Sequence, residues 1–103
     1  RGTKQHDDPE VRTSVVDALA RTGGANAIYA LGVALVGDRL NVIEKDCDPE
    51  VRRSVVDALI GTGDADAIDA LGLALVGNHQ LGITRDDDGL VRARVIYALR
   101  LAL

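Results

Sequence analysis

Residues 48–59 read DPEVRRSVVDAL, and residues 8–19 read DPEVRTSVVDAL. Both open as helices do. Asp48 or Asp8 offers an oxygen to the first free amides, Pro49 or Pro9 takes the first helical position, and Glu50 or Glu10 puts negative charge in the first turn. Behind that start, Val51, Val55, Ala58 and Leu59 fall on one face at helical spacing, as do Val11, Val15, Ala18 and Leu19. Such a face has to be buried against another element.

The likeness extends outward from these helices. With an offset of forty, 23 of the 30 positions from Asp8–Gly37 match Asp48–Gly77, far more than composition produces, so the chain contains an internal repeat. A third copy opens at DDGLVRARVIYAL, where Asp88, Val91, Arg92, Val95, Ala98 and Leu99 recur. The units run over about 8–47, 48–87 and, incompletely, 88–103, within one domain covering 1–103. TGG at 22–24 and TGD at 62–64 close the first helix of each unit, with Gly23 and Gly63 expected in the left-handed conformation. A second helix follows at once, roughly over 25–36 and 66–76, so each unit reads as a helical hairpin. The chain begins with Arg1 and stops at YALRLAL inside a helical pattern, as a fragment of a longer array would.

The Asp-Pro-x-Val-Arg opening followed by two helices resembles the HEAT-repeat superfamily, most closely the short HEAT-like repeats of phycobilisome lyases, over nearly the whole chain. The resemblance implies an all-α, right-handed α-solenoid of antiparallel hairpins, HEAT- or armadillo-like. It also implies a structural ladder in which an Asp ahead of the Val-Arg pair joins the Arg along the stack. The matching positions are Asp46 with Arg52 and Asp86 with Arg92, whereas the first unit departs from the pattern with His6 opposite Arg12. The period is about nine residues longer than the shortest such units, through DRLNVIEKD (38–46) and NHQLGITRD (78–86). We expect these additions to form a short third helix, as in armadillo-type repeats, with an ordered loop as the alternative that Gly82 favours in the second copy.

Composition removes several classes of function. Sixteen acidic against twelve basic residues give a formal charge of −4, and the basic residues are dispersed, which argues against a nucleic-acid partner. The longest uncharged apolar run, AIYALGVALV at 27–36, is far short of the ~20 residues that cross a bilayer, so no membrane partner is expected and the protein is read as cytoplasmic. Cys47 is the single cysteine, so no intrachain disulfide forms.

Catalytic and metal chemistry find no motif. Asp86, Asp88 and Gly89 imitate part of an EF-hand loop, but with Gly89 at the sharp turn the first ligand would be Thr84 and the last Val95; helix capping accounts for the Asp residues better. His6 and His79 stand at unrelated places in the repeat, outside any metal-ligand spacing. HEAT-like deoxyhypusine hydroxylases hold metal on His-Glu pairs, which this chain lacks. Ser14, Ser54 and Cys47 have no histidine at matching positions. Gly23, Gly24, Gly61 and Gly63 follow helices and have no Lys-Ser/Thr sequel of a phosphate loop. The chain is therefore read as a non-enzyme with no cofactor.

The second helices carry the informative departure. Where short HEAT-like units place Glu or Lys, this chain has Tyr29, Val33 and Val36 in the first unit and Asp69, Leu73 and Val76 in the second, a mostly apolar stripe at helical spacing. In a stack of hairpins it would line the concave face as a groove for a partner helix or strand, unless Leu40, Val42 and Ile43 fold over it as a lid. The C-terminal helix has more apolar surface than one neighbouring hairpin covers, and the candidates to pack there are the missing second helix of the third unit or a second copy of the chain, as a homo-oligomer through this helix. The expected function is a non-catalytic protein–protein interaction scaffold. Two alternatives stand beside it: a self-associating structural segment, and an auxiliary of bilin attachment to phycobiliproteins, as the lyase resemblance implies, with Arg12, Arg52, Arg53 and Arg92 meeting propionates.

Overall fold

A computed structural model describes residues 8–38 and 40–102 of the chain. Among them are five α-helices and no strand: α1 (Pro9–Thr22), α2 (Gly24–Val36), α3 (Pro49–Thr62), α4 (Ala65–Val76) and α5 (Gly89–Ala102). The starts follow the capping chemistry of the sequence. Asp8, Asp48 and Asp64 each accept a hydrogen bond from the amide two residues on, at Glu10, Glu50 and Asp66, and Asp88 accepts from both Leu90 and Val91.

Helix contacts set two rows. Helix α3 lies against both α1 and α5, α2 lies against α4, and the rows meet through α1–α2, α2–α3, α3–α4 and α4–α5. Val51, Val55, Val56 and Leu59 of α3 are fully buried, together with Leu31 and Leu35 of α2, Leu71 of α4, and Val91 and Val95 of α5. This is one continuous aliphatic core. Its small side chains let α2 and α4 approach closely: a Cβ added at Gly32 would stand 3.6 Å from that of Ala70.

Two local expectations are corrected. Gly63 is left-handed (φ 66°, ψ 14°), but Gly23 is not, at φ 69° and ψ −167°. The second unit has an extra linker residue, the capping Asp64, whereas in the first the chain passes from Gly23 directly into α2.

Among the described residues the added segments form no third helix. Each is a tight loop closed by antiparallel backbone pairing, Asp38 with Ile43 and Asn78 with Ile83. The Asp38 side chain explains part of this, accepting from the amides of Leu40 and Asn41 and so turning the chain locally. The position before the returning residue also has positive φ, 71° at Gly82 and 56° at Val42, which ends any helical run. Gly37 and Gly77 enter the loops with positive φ and extended ψ, and a Cβ there would come within 2.9 Å of the Ile43 carbonyl oxygen and 2.7 Å of that of Ile83. Only glycine suits both demands.

Candidate functional site

Two constellations stand out among the described residues. The first is the ladder, whose rungs differ from the expected pairs. Asp46 takes the guanidinium of Arg12 (Nε to Oδ2, 2.8 Å), and Asp86 takes that of Arg52 through two bonds of 2.8 and 3.1 Å. Each rung thus joins the arginine of one unit's first helix to the aspartate just ahead of the next unit's first helix. The following arginine, six residues on, reaches the aspartate's backbone: Arg52 Nη1 donates to the Asp46 carbonyl at 2.7 Å and Arg92 Nη1 to that of Asp86 at 2.6 Å. Arg12 therefore belongs to a rung, while His6, expected opposite it, lies outside the described residues.

Asp46 and Asp86 are buried and use every polar group they own. Their amides donate to Ala34 and Ala74, satisfying carbonyls near the ends of α2 and α4. Their second carboxylate oxygens accept from the amides of Asp48 and Asp88, at 2.9 Å in both cases, ahead of the next helix. Lys45 adds positive charge 4.0 Å from Asp86. No buried side-chain nitrogen or oxygen is left without a partner among the described residues. Of the four arginines considered for propionates, Arg12, Arg52 and Arg92 are engaged in these bonds.

The second constellation is an apolar groove of ≈ 330 Å³ between α2 and α4. Tyr29, Val33, Val36, Asp69 and Leu73 line it, so five of the six stripe residues are brought together. Val76 is not among its walls, and it stands exposed on α4. The loops contribute walls that helical periodicity does not reveal, namely Leu40, Leu81 and Ile83. They flank the groove and do not roof it: Leu40 and Val42 are 92 and 85 % exposed, so the lid of Leu40, Val42 and Ile43 does not form.

Three carboxylates, Asp38, Asp66 and Asp69, lie on the lining, and no described lysine or arginine does. Asp38 is held by the first loop and receives the Tyr29 hydroxyl and the Asn41 amide nitrogen, the latter at 2.8 Å. Those two bonds stabilise the carboxylate and lower its pKa below the ordinary value, with Tyr29 the larger influence. The same bond to Asp38, with burial second, raises the Tyr29 phenol above its ordinary value.

Chemically, the ladder is saturated by internal bonds, whereas the groove is open, apolar and rimmed by negative charge. Among the described residues no group of three His, Cys, Asp or Glu side chains is disposed to hold a metal ion, and no helix is long and apolar enough to cross a membrane. Asp86 and Asp88, which imitate an EF-hand loop in sequence, direct their oxygens at Arg52 and at backbone amides. Comparison of the chain with protein-family models, curated proteins and solved structures finds no match.

Proposed function

We propose that the protein is a non-catalytic scaffold, a right-handed HEAT- or armadillo-like solenoid segment whose groove between α2 and α4 receives a segment of another protein. The observation that carries this is the open apolar floor at Val33, Val36 and Leu73 beneath a rim of Asp38, Asp66 and Asp69. The repeated hairpin with its Asp-Pro-x-Val-Arg opening supports the solenoid part. Apolar side chains at the groove's spacing match an amphipathic helix laid in a groove, and the carboxylates favour Lys or Arg at that helix's margins. Helix α4 has 12 residues, so a partner helix of about 12 residues, near 18 Å long, spans it.

Val33→Glu and Leu73→Glu test the proposal. Both residues are half-buried at the groove and outside the continuous core. Helical circular dichroism should persist while binding of a labelled, lysine-flanked amphipathic peptide, followed by fluorescence anisotropy, is lost. If the unsubstituted protein ignores that peptide as it ignores an acid-flanked control, or if both substitutions unfold the chain, the groove is not a docking site.

A further inference from the structure

The two ends of the groove between α2 and α4 differ in chemistry. A recess beside it is lined by Gly24, Ala25 and Ile28 together with Asp64 and Asp66, so the two helices start side by side. At that end Asp66 and Asp69 stand on the groove's lining, both within the first five residues of α4. Beyond them come Val33, Val36 and Leu73, and then the loops that follow the two helices, with Leu40 and Leu81 as walls.

Asp38 lies at the far end, so by position alone both ends are acidic. Its bonds decide otherwise. An ionised carboxylate has about four lone-pair sites, and Asp38 fills them within its own unit. Its Oδ1 accepts from the amides of Leu40 and Asn41, and its Oδ2 from the Tyr29 hydroxyl and the Asn41 side chain. Asp66 and Asp69 are exposed, and among the described residues neither carboxylate accepts a hydrogen bond or joins an ion pair. Asp64, which caps α4, adds negative charge at the same end, and no described lysine or arginine lines either cavity. A helix lying in the groove therefore meets available negative charge at one end and apolar walls at the other.

Resting on the docking role proposed above, we infer that the helix this groove takes up is polarised along its length. Its Lys or Arg residues gather in one terminal turn, over the start of α4, and its larger apolar side chains lie toward Leu40 and Leu81. Exposed ion pairs are individually weak, so gathering the basic residues near Asp66 and Asp69 raises affinity by about threefold to tenfold.

Three labelled amphipathic peptides of one composition, each about 12 residues long to match α4, test this by fluorescence anisotropy. Their lysines are all in the first turn, all in the last, or divided equally between both. One of the gathered peptides should bind about threefold to tenfold more tightly than the divided one. Asp66→Asn with Asp69→Asn should erase that margin without altering circular dichroism, since neither side chain holds a partner among the described residues. Glu10→Gln with Asp17→Asn, the same change of net charge at exposed positions of α1, should leave it. Equal affinity for all three peptides overturns the inference while the groove remains a docking site. A margin that survives the groove variant, or that both double variants reduce alike, overturns it as well, the latter because general attraction to a chain of charge −4 would then suffice. If none of the three binds, the docking role falls and the inference with it.

Discussion

At the scale of single residues, Asp46 and Asp86 matter more than their number suggests, because each ties the end of one hairpin, the start of the next helix and the arginine thirty-four residues earlier with one side chain and one peptide. Their side chains are hydrogen-bonded at both oxygens, so removing one strands an arginine as well as one backbone amide, that of Asp48 or Asp88. For Asp86→Ala the partner is Arg52, whose side chain is only 4 % exposed, and losing one member of a buried ion pair costs about 3–5 kcal/mol. Urea denaturation should register a loss of that order, and a smaller one for Asp46→Ala, because Arg12 is nearer water at 11 %. The Asp ahead of Val-Arg was visible in the sequence, but its partner was not: the six-residue spacing joins Arg52 to the Asp46 carbonyl, and the carboxylate bond spans thirty-four residues. Only the packing of units decides that. The groove's rim makes a second prediction at this scale. Tyr29 should titrate above its ordinary value while Asp38 is ionised, so in a Tyr97→Phe background the phenolate absorbance of Tyr29 should appear at lower pH once Asp38→Asn is added. The linkage follows with its sign. Any stability from the raised phenol is complete below its ordinary pKa and lost as pH rises through the folded value, whereas that from the lowered Asp38 is present above the ordinary carboxylate value and lost as pH falls through its own.

At the scale of elements, the helices were legible because their signals are local: an aspartate cap, a proline in the first turn and valines at one face act within a few residues of each other. The loops at 38–46 and 78–86 were not, since Leu40, Val42 and Ile43 have a spacing that a short helix would also use. What overrides it is backbone geometry at a few positions. Gly77 sits at φ 73° and ψ −178°, a region essentially restricted to glycine and costing about 1–3 kcal/mol for other residues, and the Ile83 carbonyl leaves no room for a methyl group. Gly77→Ala should therefore lower the denaturation midpoint by at least that equivalent. Val42 poses the opposite case, a β-branched residue at φ 56° where the second copy has Gly82. Its side chain is 85 % exposed, so little burial is lost on removing it. Val42→Gly relieves about 1–2 kcal/mol of left-handed strain against the 0.5–1 kcal/mol that glycine adds in chain entropy, and should raise the thermal midpoint slightly.

At the scale of the whole molecule, near-identical text acquires different environments. Val11 and Val51 share the same neighbours in sequence, yet one is exposed and the other buried, because among the described residues only the second has a helix on its backward side. No local pattern encodes that difference; it depends on the order of copies along the row, which is also why the stripe of the groove could be outlined from the repeat while its loop walls, Leu40, Leu81 and Ile83, could not. The consequence is a gradient of stability. Among the described helices α3 alone touches all the others, and its Leu59 is fully buried, whereas the equivalent Leu19 of α1 and Leu99 of α5 are only half-buried. Leu59→Ala should cost about 2–5 kcal/mol, a large share of the roughly 5–15 kcal/mol that holds a small domain folded, and Leu19→Ala distinctly less. Native-state hydrogen exchange makes the same point without substitution. Amides of α3 should exchange only through global unfolding, while those of α1 open at lower free energy, with α1 separating from α3 along the row. Equal protection in α1 and α3 would mean that the units do not add their stabilities through neighbours but unfold as one indivisible core.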